Sequence, residues 1–343
     1  MKKLLLLSLI TILAVPMVLG STSKPGETTE PILIRMTTPV PPGDDYAIWL
    51  QEGMDKFNAR TNGAYKMRLF PGGQLAAFPE SLDVIRTGAI EGGVIPPAAF
   101  AGTVPEFGLV ELPFLFNNGE ANAYAMPHIK DVWSELLQAK CNQRSLGCIF
   151  VGTLNILSTK KHLKTVEDLE GLIVGCDAPP MVGLIKALGG SGVVVDFTED
   201  YSNLQKGVID AKTSAPQYIQ IAKLYEVAKY YTIFHGLGTL YSININSDVY
   251  NKMPQNIKDA LNEEMSAVAE SISQKYVTLF YDLVPELTKE GLQYYYLPTA
   301  ERDRWKQMAY PVTLAALAKF GDVGAKIKQI AEEANAKYPY TQQ

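Results

Sequence analysis

The sequence has few of the side chains that carry out chemistry in enzymes. It contains three histidines, His128, His162 and His235, and neither a Gly-x-Ser-x-Gly nor a His-Glu-x-x-His pattern. The glycine-rich run Leu188–Gly192 lacks the Gly-Lys-Ser/Thr ending of a phosphate-binding loop. Because no catalytic constellation is present, an exported α/β enzyme is the least favoured class, and we predict a protein that is not an enzyme.

The sequence also lacks the charge pattern of a nucleic-acid-binding protein. Its net charge is −5, and no basic stretch is interleaved with aromatic residues. Its 343 residues are 47% hydrophobic, which is typical of a globular protein with one large or two medium domains. We therefore expect no nucleic-acid partner.

Long apolar runs are absent after the start of the chain. The run Leu4–Val18 follows a cationic beginning and ends at small residues, which predicts a secretory signal peptide over residues 1–20. A single membrane anchor is the alternative, but the run is shorter than the ~20 residues that a span needs, and Pro16 interrupts it. No cysteine follows the run, so we expect no lipid anchor. Residues 21–30 are predicted to be a polar, disordered leader, and the protein is predicted to be periplasmic.

Cysteine is scarce, and export changes how the three cysteines are interpreted. Cys141 and Cys148 lie where a helix is predicted to end and a strand to begin. In an oxidising compartment they can close a small loop, and we predict this disulfide, although spacing alone does not show the Cβ geometry that it needs. Cys176 then remains single and is interpreted as a buried apolar residue.

Hydrophobic patterning divides the chain into two runs of alternating strands and helices. Such alternation indicates βαβ units and a mainly parallel sheet. In the first run, strands are predicted at 32–36, 65–70 and 92–95; in the second, they are predicted at 172–176, 192–195 and 208–210. Two strands at 146–151 and 155–159 are predicted between the runs, and a further strand at 240–246 after them. A helical pattern then extends from Pro254 to about Gly291, a length of about 50 Å, which is enough to cross two lobes. A coiled-coil dimer helix is the alternative.

Five ordered motifs carry a resemblance to a known family. They are Phe70-Pro-Gly-Gly-Gln-Leu75, Glu111-Leu-Pro-Phe-Leu-Phe116, Lys164-Thr-Val-Glu-Asp-Leu-Glu-Gly171, Leu204-Gln-Lys-Gly-Val-Ile-Asp210 and Asn246-Ser-Asp-Val-Tyr-Asn-Lys-Met-Pro254. Each motif is weak alone, but their order and spacing are specific and cover nearly the whole mature chain. In these motifs the chain resembles the substrate-binding proteins of tripartite ATP-independent periplasmic (TRAP) transporters.

The resemblance implies a fold and a mode of action. The fold is α/β, with two lobes in a periplasmic-binding-protein-like arrangement and a long hinge-spanning helix. Lobe I is expected to comprise residues 31–152 plus about 240–275, and lobe II residues 153–239 plus about 276–343. The lobes are expected to close on a small molecule and deliver it to the small and large membrane subunits of an ion-driven permease. The resemblance implies no ATP hydrolysis, and we expect no cofactor and no metal ligand.

The chain departs from the family at the position that usually binds the ligand's carboxylate. Most members have an arginine on the strand after the Asp-Leu-x-Gly motif, and here that position is Gly175. A strand residue about 20 positions upstream, another arginine in several relatives, is Asn155. Since an arginine can fork onto a carboxylate with charge-assisted hydrogen bonds, its absence predicts an unusual grip on the ligand.

Three substitutes for the missing arginine are open. Another cation, Lys212 or Arg35, can reach the anion; backbone N–H groups near Pro179 can bind it; or the ligand is not a simple carboxylate. In the last case Asp177 is an acceptor for an amine or hydroxyl, with the N-cap of the following helix as its structural alternative. Gly175 also leaves room for a bulkier ligand.

The other candidate ligand-binding residues each have a structural alternative. Phe197, Ser214 and His235 occupy places where the family has a packing aromatic, a ligand-binding asparagine and a histidine, while core packing, helix capping and a structural histidine are the alternatives. Gln217 is a polar neighbour one turn beyond Ser214. Asp45 and Tyr46 follow the first strand and are expected to face the cleft, although capping explains Asp45 equally well. Tyr218 and Tyr241 are weaker candidates for an aromatic wall.

Together these features predict an extracytoplasmic solute receptor for a small organic acid or zwitterion, aromatic ones included. A neutral or amine ligand is an alternative. A second alternative is an exported sensor that presents its ligand to a signalling receptor, and neighbouring genes for a permease or for a membrane kinase would distinguish the two.

Overall fold

The computed structural model describes residues 30–177 and 179–341. The predicted signal peptide over residues 1–20 and all but the last residue of the predicted leader lie outside the described residues. Across the described ranges, no helix combines the length and the apolar character that crossing a membrane requires.

One mixed sheet runs through the described chain. Its strands are β1 (Ile32–Thr37), β2 (Tyr65–Phe70), β3 (Gly92–Ile95), β4 (Gln143–Ser158), β5 (Ile173–Cys176), β6 (Ser191–Val194), β7 (Ala211–Ser214), β8 (Tyr230–Asn246) and β9 (Gln293–Tyr296). Their order is β2-β1-β3-β8-β4-β7-β5-β6, with β9 paired to β8. Strands β1–β3 lie in predicted lobe I and β5–β7 in predicted lobe II, so the alternation predicted from the sequence is present on both sides.

Helices cover the sheet on both sides. They are α1 (Asp45–Arg60), α2 (Ser81–Arg86), α3 (Gly119–Cys141), α4 (Pro179–Ala187), α5 (Asp200–Gln205), α6 (Pro216–Ile221), α7 (Ser247–Asn251), α8 (Gln255–Lys289), α9 (Thr299–Lys319) and α10 (Gly321–Lys337). The last helix packs against α3, with Ile327 and Ala331 in the same apolar cluster as Trp133. The lobe boundaries remain a prediction.

Two long antiparallel strands connect the two halves of the sheet. β4 and β8 pair from Gln143↔Asn246 to Ser158↔Tyr230, with three register shifts along the way. One end of the pair joins β3, and the other end joins β7 and β9. Because each strand crosses from one half to the other, a bend in this pair changes the angle between the halves.

The long helix α8 also crosses both halves. Its first part buries Ile257, Leu261 and Met265 in the core beneath β1 and α1, and its last part buries Phe280 and Leu287 in a core with β8. The helix continues through Pro285 to Lys289. The expectation of a helix that spans two lobes is confirmed.

Three predicted elements differ from the structure. The strand predicted at 208–210 begins later, as β7, because Gly207 adopts a left-handed φ of 70° that ends the preceding helical segment. The two strands predicted at 146–151 and 155–159 are the single strand β4. The first half of β8, from residue 230, was not predicted from the pattern, since its residues are almost continuously apolar or small and do not alternate.

The predicted Cys141–Cys148 disulfide is absent, because both residues are free, buried thiols. Cys141 ends α3, and β4 begins two residues later and extends away from that end. Cys148 lies beside Pro127 and Lys130 of α3, and Lys130 is 11 residues, or about 16 Å, along that helix from Cys141, well beyond the ~7 Å Cα separation that a disulfide tolerates. Cys176 is also buried and free, as expected for an apolar residue.

Candidate ligand-binding cleft

A cavity of about 670 Å³ lies between the two halves of the molecule. Its walls are formed by the loop after β1, the start of α1, the middle of α8, the segments after β6 and β7, and the crossing strands. The residues that line it are Pro39, Val40, Pro41, Asp44, Tyr46, Phe78, Pro96, Val151, Phe197, Gln217, Thr239, Tyr241 and Tyr276. The volume is in the range of small-molecule sites.

The start of α1 places one polar and one aromatic residue at the cavity. Asp44 is the N-cap, and its Oδ1 accepts a hydrogen bond from the N–H of Tyr46 at 2.9 Å. The predicted candidate Asp45 is the first residue of the helix; it is exposed and does not line the cavity. Asp44 is therefore the helix cap. Asp45 neither caps the helix nor faces the cleft, which were the two roles expected for it.

Three tyrosines form one wall of the cavity, which we call the tyrosine wall: Tyr46, Tyr241 and Tyr276. The ring centroids of Tyr46 lie 5.4 Å from Tyr241 and 6.3 Å from Tyr276, with tilted planes. Burial raises the pKa of all three, that of Tyr241 to about 12, and the charge of Asp44 raises each pKa further. The hydroxyls are therefore neutral donors and acceptors beside a carboxylate.

The Tyr46 hydroxyl lacks a partner within the structure. The residue is 2% exposed, and its Oη makes no hydrogen bond with any described residue. A buried hydroxyl without a partner costs about 1–3 kcal/mol. Tyr46 lines the cavity, but its hydroxyl oxygen is itself buried, so a bound molecule can supply the missing hydrogen bond only where closure of the lobes brings it to that oxygen.

On the opposite wall, Phe197 and Gln217 face the cavity, as predicted from the sequence. Phe197 is 61% exposed and stands edge-on to the ring of Tyr218, whose hydroxyl donates to the carbonyl of Phe197 at 2.5 Å. Gln217 donates from Nε2 to the carbonyl of Val151 on β4 at 2.7 Å. Gly152 has a φ of 126°, and a Cβ there would lie 2.8 Å from that amide nitrogen, so this contact between α6 and β4 requires glycine.

Gly175 does not line the cavity. It is buried on β5 in register with Lys212 on β7. A Cβ at position 175 would lie 2.7 Å from Ile209 Cδ1, 3.0 Å from Val195 Cγ2 and 3.4 Å from Lys212 Cδ. The lysine stem and its neighbours therefore fill the space beside Gly175, and the expectation that the glycine admits a bulkier ligand is wrong.

Lys212 is a buried cation held by two carboxylates. Its side chain is 0% exposed, and Nζ lies 2.5 Å from Asp177 Oδ1 and 3.2 Å from Asp200 Oδ2. Burial raises the pKa of Asp200 to about 6, although Lys212 acts to lower it. Asp177 is partly exposed and lies at the end of β5, which is the same edge of the sheet from which Phe197 and Gln217 project. The cation is thus already neutralised within the wall.

Arg35, the other cation proposed as a substitute for the missing arginine, does not reach the cavity either. Its guanidinium donates to Glu91 at 2.7 and 2.8 Å and to the carbonyl of Ala89. That pair connects β1 with the start of β3, and neither member lines the cavity.

Three predicted candidates are buried in the structure and bonded to their neighbours. Asn155 accepts from the backbone N–H of residues 234 and 235 and donates to Tyr231. Ser214 is 1% exposed and donates to the carbonyl of Ala215. His235 shares a 2.8 Å hydrogen bond with Thr153, and burial lowers its pKa to about 3. None of the three lines the cavity. Their hydrogen bonds instead stabilise the crossing strands and the residues next to them.

Several lining residues were missed from the sequence. Asp44 has the usual identity of an N-cap and precedes the predicted Tyr46 by two residues, so a stricter capping argument would have found it. Tyr276 was recognised only as a core position of the long helix, and Thr239 lies in the unpredicted half of β8. No local signal marks Phe78 as a cavity residue.

Residues 47–319 match the family described as bacterial extracellular solute-binding protein, family 7. The chain is 25% identical over 300 residues to the C4-dicarboxylate-binding periplasmic protein DctP of Rhodobacter capsulatus, covering 82% of this chain and 86% of the relative. It is 26% identical over 211 residues to the 2,3-diketo-L-gulonate-binding periplasmic protein YiaO of Escherichia coli K12, covering 60% of this chain and 63% of the relative. The latter alignment thus spans less than two thirds of that protein.

Solved structures share the fold. A TRAP periplasmic solute binding protein from Rhodobacter sphaeroides, in an apo open state, superposes with a TM-score of 0.82 at 21% identity, covering 88% of this chain and 99% of that one. At this identity the match shows the two-lobe architecture and leaves the ligand to be argued from the cleft.

Proposed function

This chain belongs to family 7 of the bacterial extracellular solute-binding proteins, and we propose that it captures a small organic acid or zwitterion in the cleft between its two lobes. The observation that carries the proposal is the cavity of about 670 Å³, with walls contributed by both lobes and a floor formed by the crossing strands. The two curated relatives have names that specify binding of a C4-dicarboxylate and a diketo sugar acid. The five aromatic side chains among the described lining residues support ligands with an aromatic or other flat apolar face.

We propose that the mechanism is domain closure. Tyr46 and Phe197 lie on different lobes, and the lobes are connected by β4, β8 and α8. A molecule that contacts both walls binds the closed arrangement more tightly than the open one, and therefore shifts the population toward closure. The contact between Gln217 and Val151 lies at the crossing strands, where such a rotation would take place.

In this proposal the receptor works outside the cytoplasm and passes its ligand to the small and large membrane subunits of a TRAP permease. The family match supports the extracytoplasmic location, and the resemblance to TRAP receptors supports the permease partner. The protein binds its ligand without converting it, as is usual for a family of binding proteins.

A thermal-shift screen of the purified mature protein tests the proposal. Organic acids, sugar acids, amino acids, polyols and amines are compared, and a true ligand raises the Tm progressively as its concentration exceeds its Kd, following RT ln(1 + [L]/Kd). Thr239→Trp, which fills the cavity, should abolish the shift. Thr278→Trp, at an exposed position on α8, should leave it unchanged. The proposal fails if no class of compound raises the Tm, or if Thr239→Trp binds as well as the wild type.

A further inference from the structure

The charge of the cavity is opposite to what a carboxylate site needs. In the described part of the chain, Asp44 is the one charged side chain among the lining residues, and no lysine or arginine reaches the surface of the cavity. A carboxylate ligand bound there would face another carboxylate and would lose its water without gaining a cationic partner. A ligand with a positive charge avoids both costs.

The tyrosine wall lies beside that carboxylate. Aromatic rings attract cations through the negative face of the π-system, and the attraction is strongest where water is excluded. Tyr46 is almost fully buried and forms the centre of the wall, with Tyr241 and Tyr276 tilted against it. Several rings together with one acid are the combination that binds alkylated ammonium groups, since such groups donate no N–H bonds and need a polarisable surface.

Asp44 keeps one oxygen available for this role. Its Oδ1 caps α1 through Tyr46, and within the described ranges its Oδ2 accepts no hydrogen bond. Because the N-terminus of a helix favours a nearby negative charge, the carboxylate of Asp44 at the N-cap of α1 is a well-placed counter-charge for a cation. The hydroxyl of Tyr46 also lacks a partner among the described residues; it is buried here, and closure of the lobes is what would bring a polar part of the same ligand to it.

Among the described residues, the opposite wall supplies no competing cation. Lys212 is 0% exposed and is paired with Asp177 and Asp200, so the exposed member of that group is an acid. The lobe II side of the cleft therefore does not reverse the charge preference that Asp44 sets.

We propose that the ligand carries an alkylated ammonium group, held over the tyrosine wall with Asp44 as its counter-charge. This rests on the proposed function, because it concerns the ligand of the same cleft, and it favours the zwitterion over the simple organic acid.

Two pairs of compounds with matched shape test the charge directly. Glycine betaine and 3,3-dimethylbutanoate differ in that a quaternary nitrogen replaces a quaternary carbon; choline and 3,3-dimethylbutan-1-ol differ in the same way. Isothermal titration should give a Kd about tenfold or more lower for the charged member of each pair, the size of a desolvated cation–π and ion-pair contribution. Equal or tighter binding of the neutral-carbon members would overturn the proposal.

Two neighbouring acids provide a matched pair of variants. Asp44→Asn removes the charge and keeps an equally good helix cap, so the fold is retained. It should remove most of the preference for the charged compound. Asp45→Asn removes a charge one residue away, on an exposed side chain outside the cavity, and should leave the preference unchanged. A loss of preference in both variants would indicate long-range electrostatics and contradict the assigned contact.

Failure of the inference and failure of the proposed function give different results. If L-gulonate or succinate binds and neither glycine betaine nor choline does, the receptor function stands and the ammonium site is refuted. If none of these compounds, and no compound of the wider screen, raises the Tm, the receptor function itself is refuted and the inference falls with it.

Discussion

On the side of the cleft where α1 begins, a carboxylate and three tyrosines line the cavity, whereas on the opposite side, at the ends of β5 to β7, the charges lie behind the wall. Asp44 lines the cavity and caps a helix with one oxygen, and its other oxygen accepts no hydrogen bond within the described chain. Lys212 is fully buried and bonded to its own carboxylates. The difference shows that a lysine on a strand that ends at the cleft does not have to bind the ligand. Lys212 is not available for a ligand, because two carboxylates of the protein already neutralise its charge.

The largest effect is expected from removing the buried cation. Lys212→Met should lower the free energy of unfolding by about 3–5 kcal/mol at pH 7, since it leaves the 0% exposed Asp200 without a counter-charge. Urea unfolding measures the loss, with Lys206→Ala, an exposed lysine six residues away, as the control at under about 0.5 kcal/mol. If Lys212→Met is as stable as the control and changes ligand affinity instead, Lys212 belongs to the binding site.

The carboxylate of Asp200 should also make the stability of the protein depend on pH. Asp200 has a folded pKa raised to about 6 by burial, against about 4 when unfolded, so the folded state holds its proton more tightly. Its stabilising contribution is present below about pH 4 and is lost as the pH rises through 6, by about 3 kcal/mol. Glu111, with a pKa raised to about 8 by burial, acts in the same direction at higher pH.

Urea unfolding between pH 4 and 7 tests that dependence. Asp200→Asn cannot ionise, so the difference in stability between the variant and the wild type should change across this range in favour of the variant. Parallel curves for the two proteins would show that Asp200 is ionised throughout and that Lys212 outweighs its burial.

Two buried tyrosines differ in whether their hydroxyls have hydrogen-bond partners, and this difference can be tested by mutation. Tyr231 in lobe II accepts from Asn155 and donates to the carbonyl of Ser214, both at 3.1 Å, whereas the Tyr46 hydroxyl has no partner in the described chain. Tyr231→Phe should therefore cost about 1–2 kcal/mol of stability and leave ligand affinity unchanged. Tyr46→Phe should leave the stability equal or slightly higher, and should lower the affinity for the ligand by about three- to tenfold.

Calorimetry of both variants, with and without the compound that gives the largest thermal shift, measures the two quantities together. A Tyr46→Phe variant that loses stability and keeps full affinity would place its hydroxyl in the support of the fold and not in the binding site.

The smallest effect concerns the glycine at the family's arginine position. Gly175→Ala should cost about 1 kcal/mol, because its Cβ would lie 2.7 Å from the flexible end of Ile209 and 3.0 Å from Val195. Gly183→Ala, in α4 with nothing within 4 Å of its Cβ, should instead stabilise by about 0.5–1 kcal/mol. Thermal unfolding of both variants checks the pair, and a stabilised Gly175→Ala would mean that open space remains beside position 175.

Much of the architecture could be predicted from the sequence. Elements with strong periodicity and clear boundaries, such as β2, β3 and α8, were predicted within two residues of where they lie. The crossing half of β8 was missed because a strand covered on both faces loses its alternation, and β7 was misplaced because its neighbouring residues are equally β-forming. A disulfide was predicted because spacing along the chain says nothing of the direction in which β4 leaves α3.

The site was harder to predict than the fold. Tyr46, Phe197 and Gln217 line the cavity as expected; they lie in the segments that follow β1, β6 and β7, and Phe197 and Gln217 were proposed by resemblance. Asn155 and His235 were proposed by resemblance, but side chains of the same type can support a strand pair as well as contact a ligand. The tertiary fact that decides between these roles is the partner of each polar atom, and a single sequence does not contain it.

The distance between the two rims of the cleft tests the central claim most directly. The three native cysteines are buried, so spin labels can be placed at Gln74→Cys and Glu199→Cys, exposed positions near Phe78 and Phe197 on opposite walls. Pulsed electron paramagnetic resonance should show the distance between the labels shortening when the compound with the largest thermal shift is added. The same distance with and without that compound, at a concentration that saturates binding, would contradict capture by closure of two lobes.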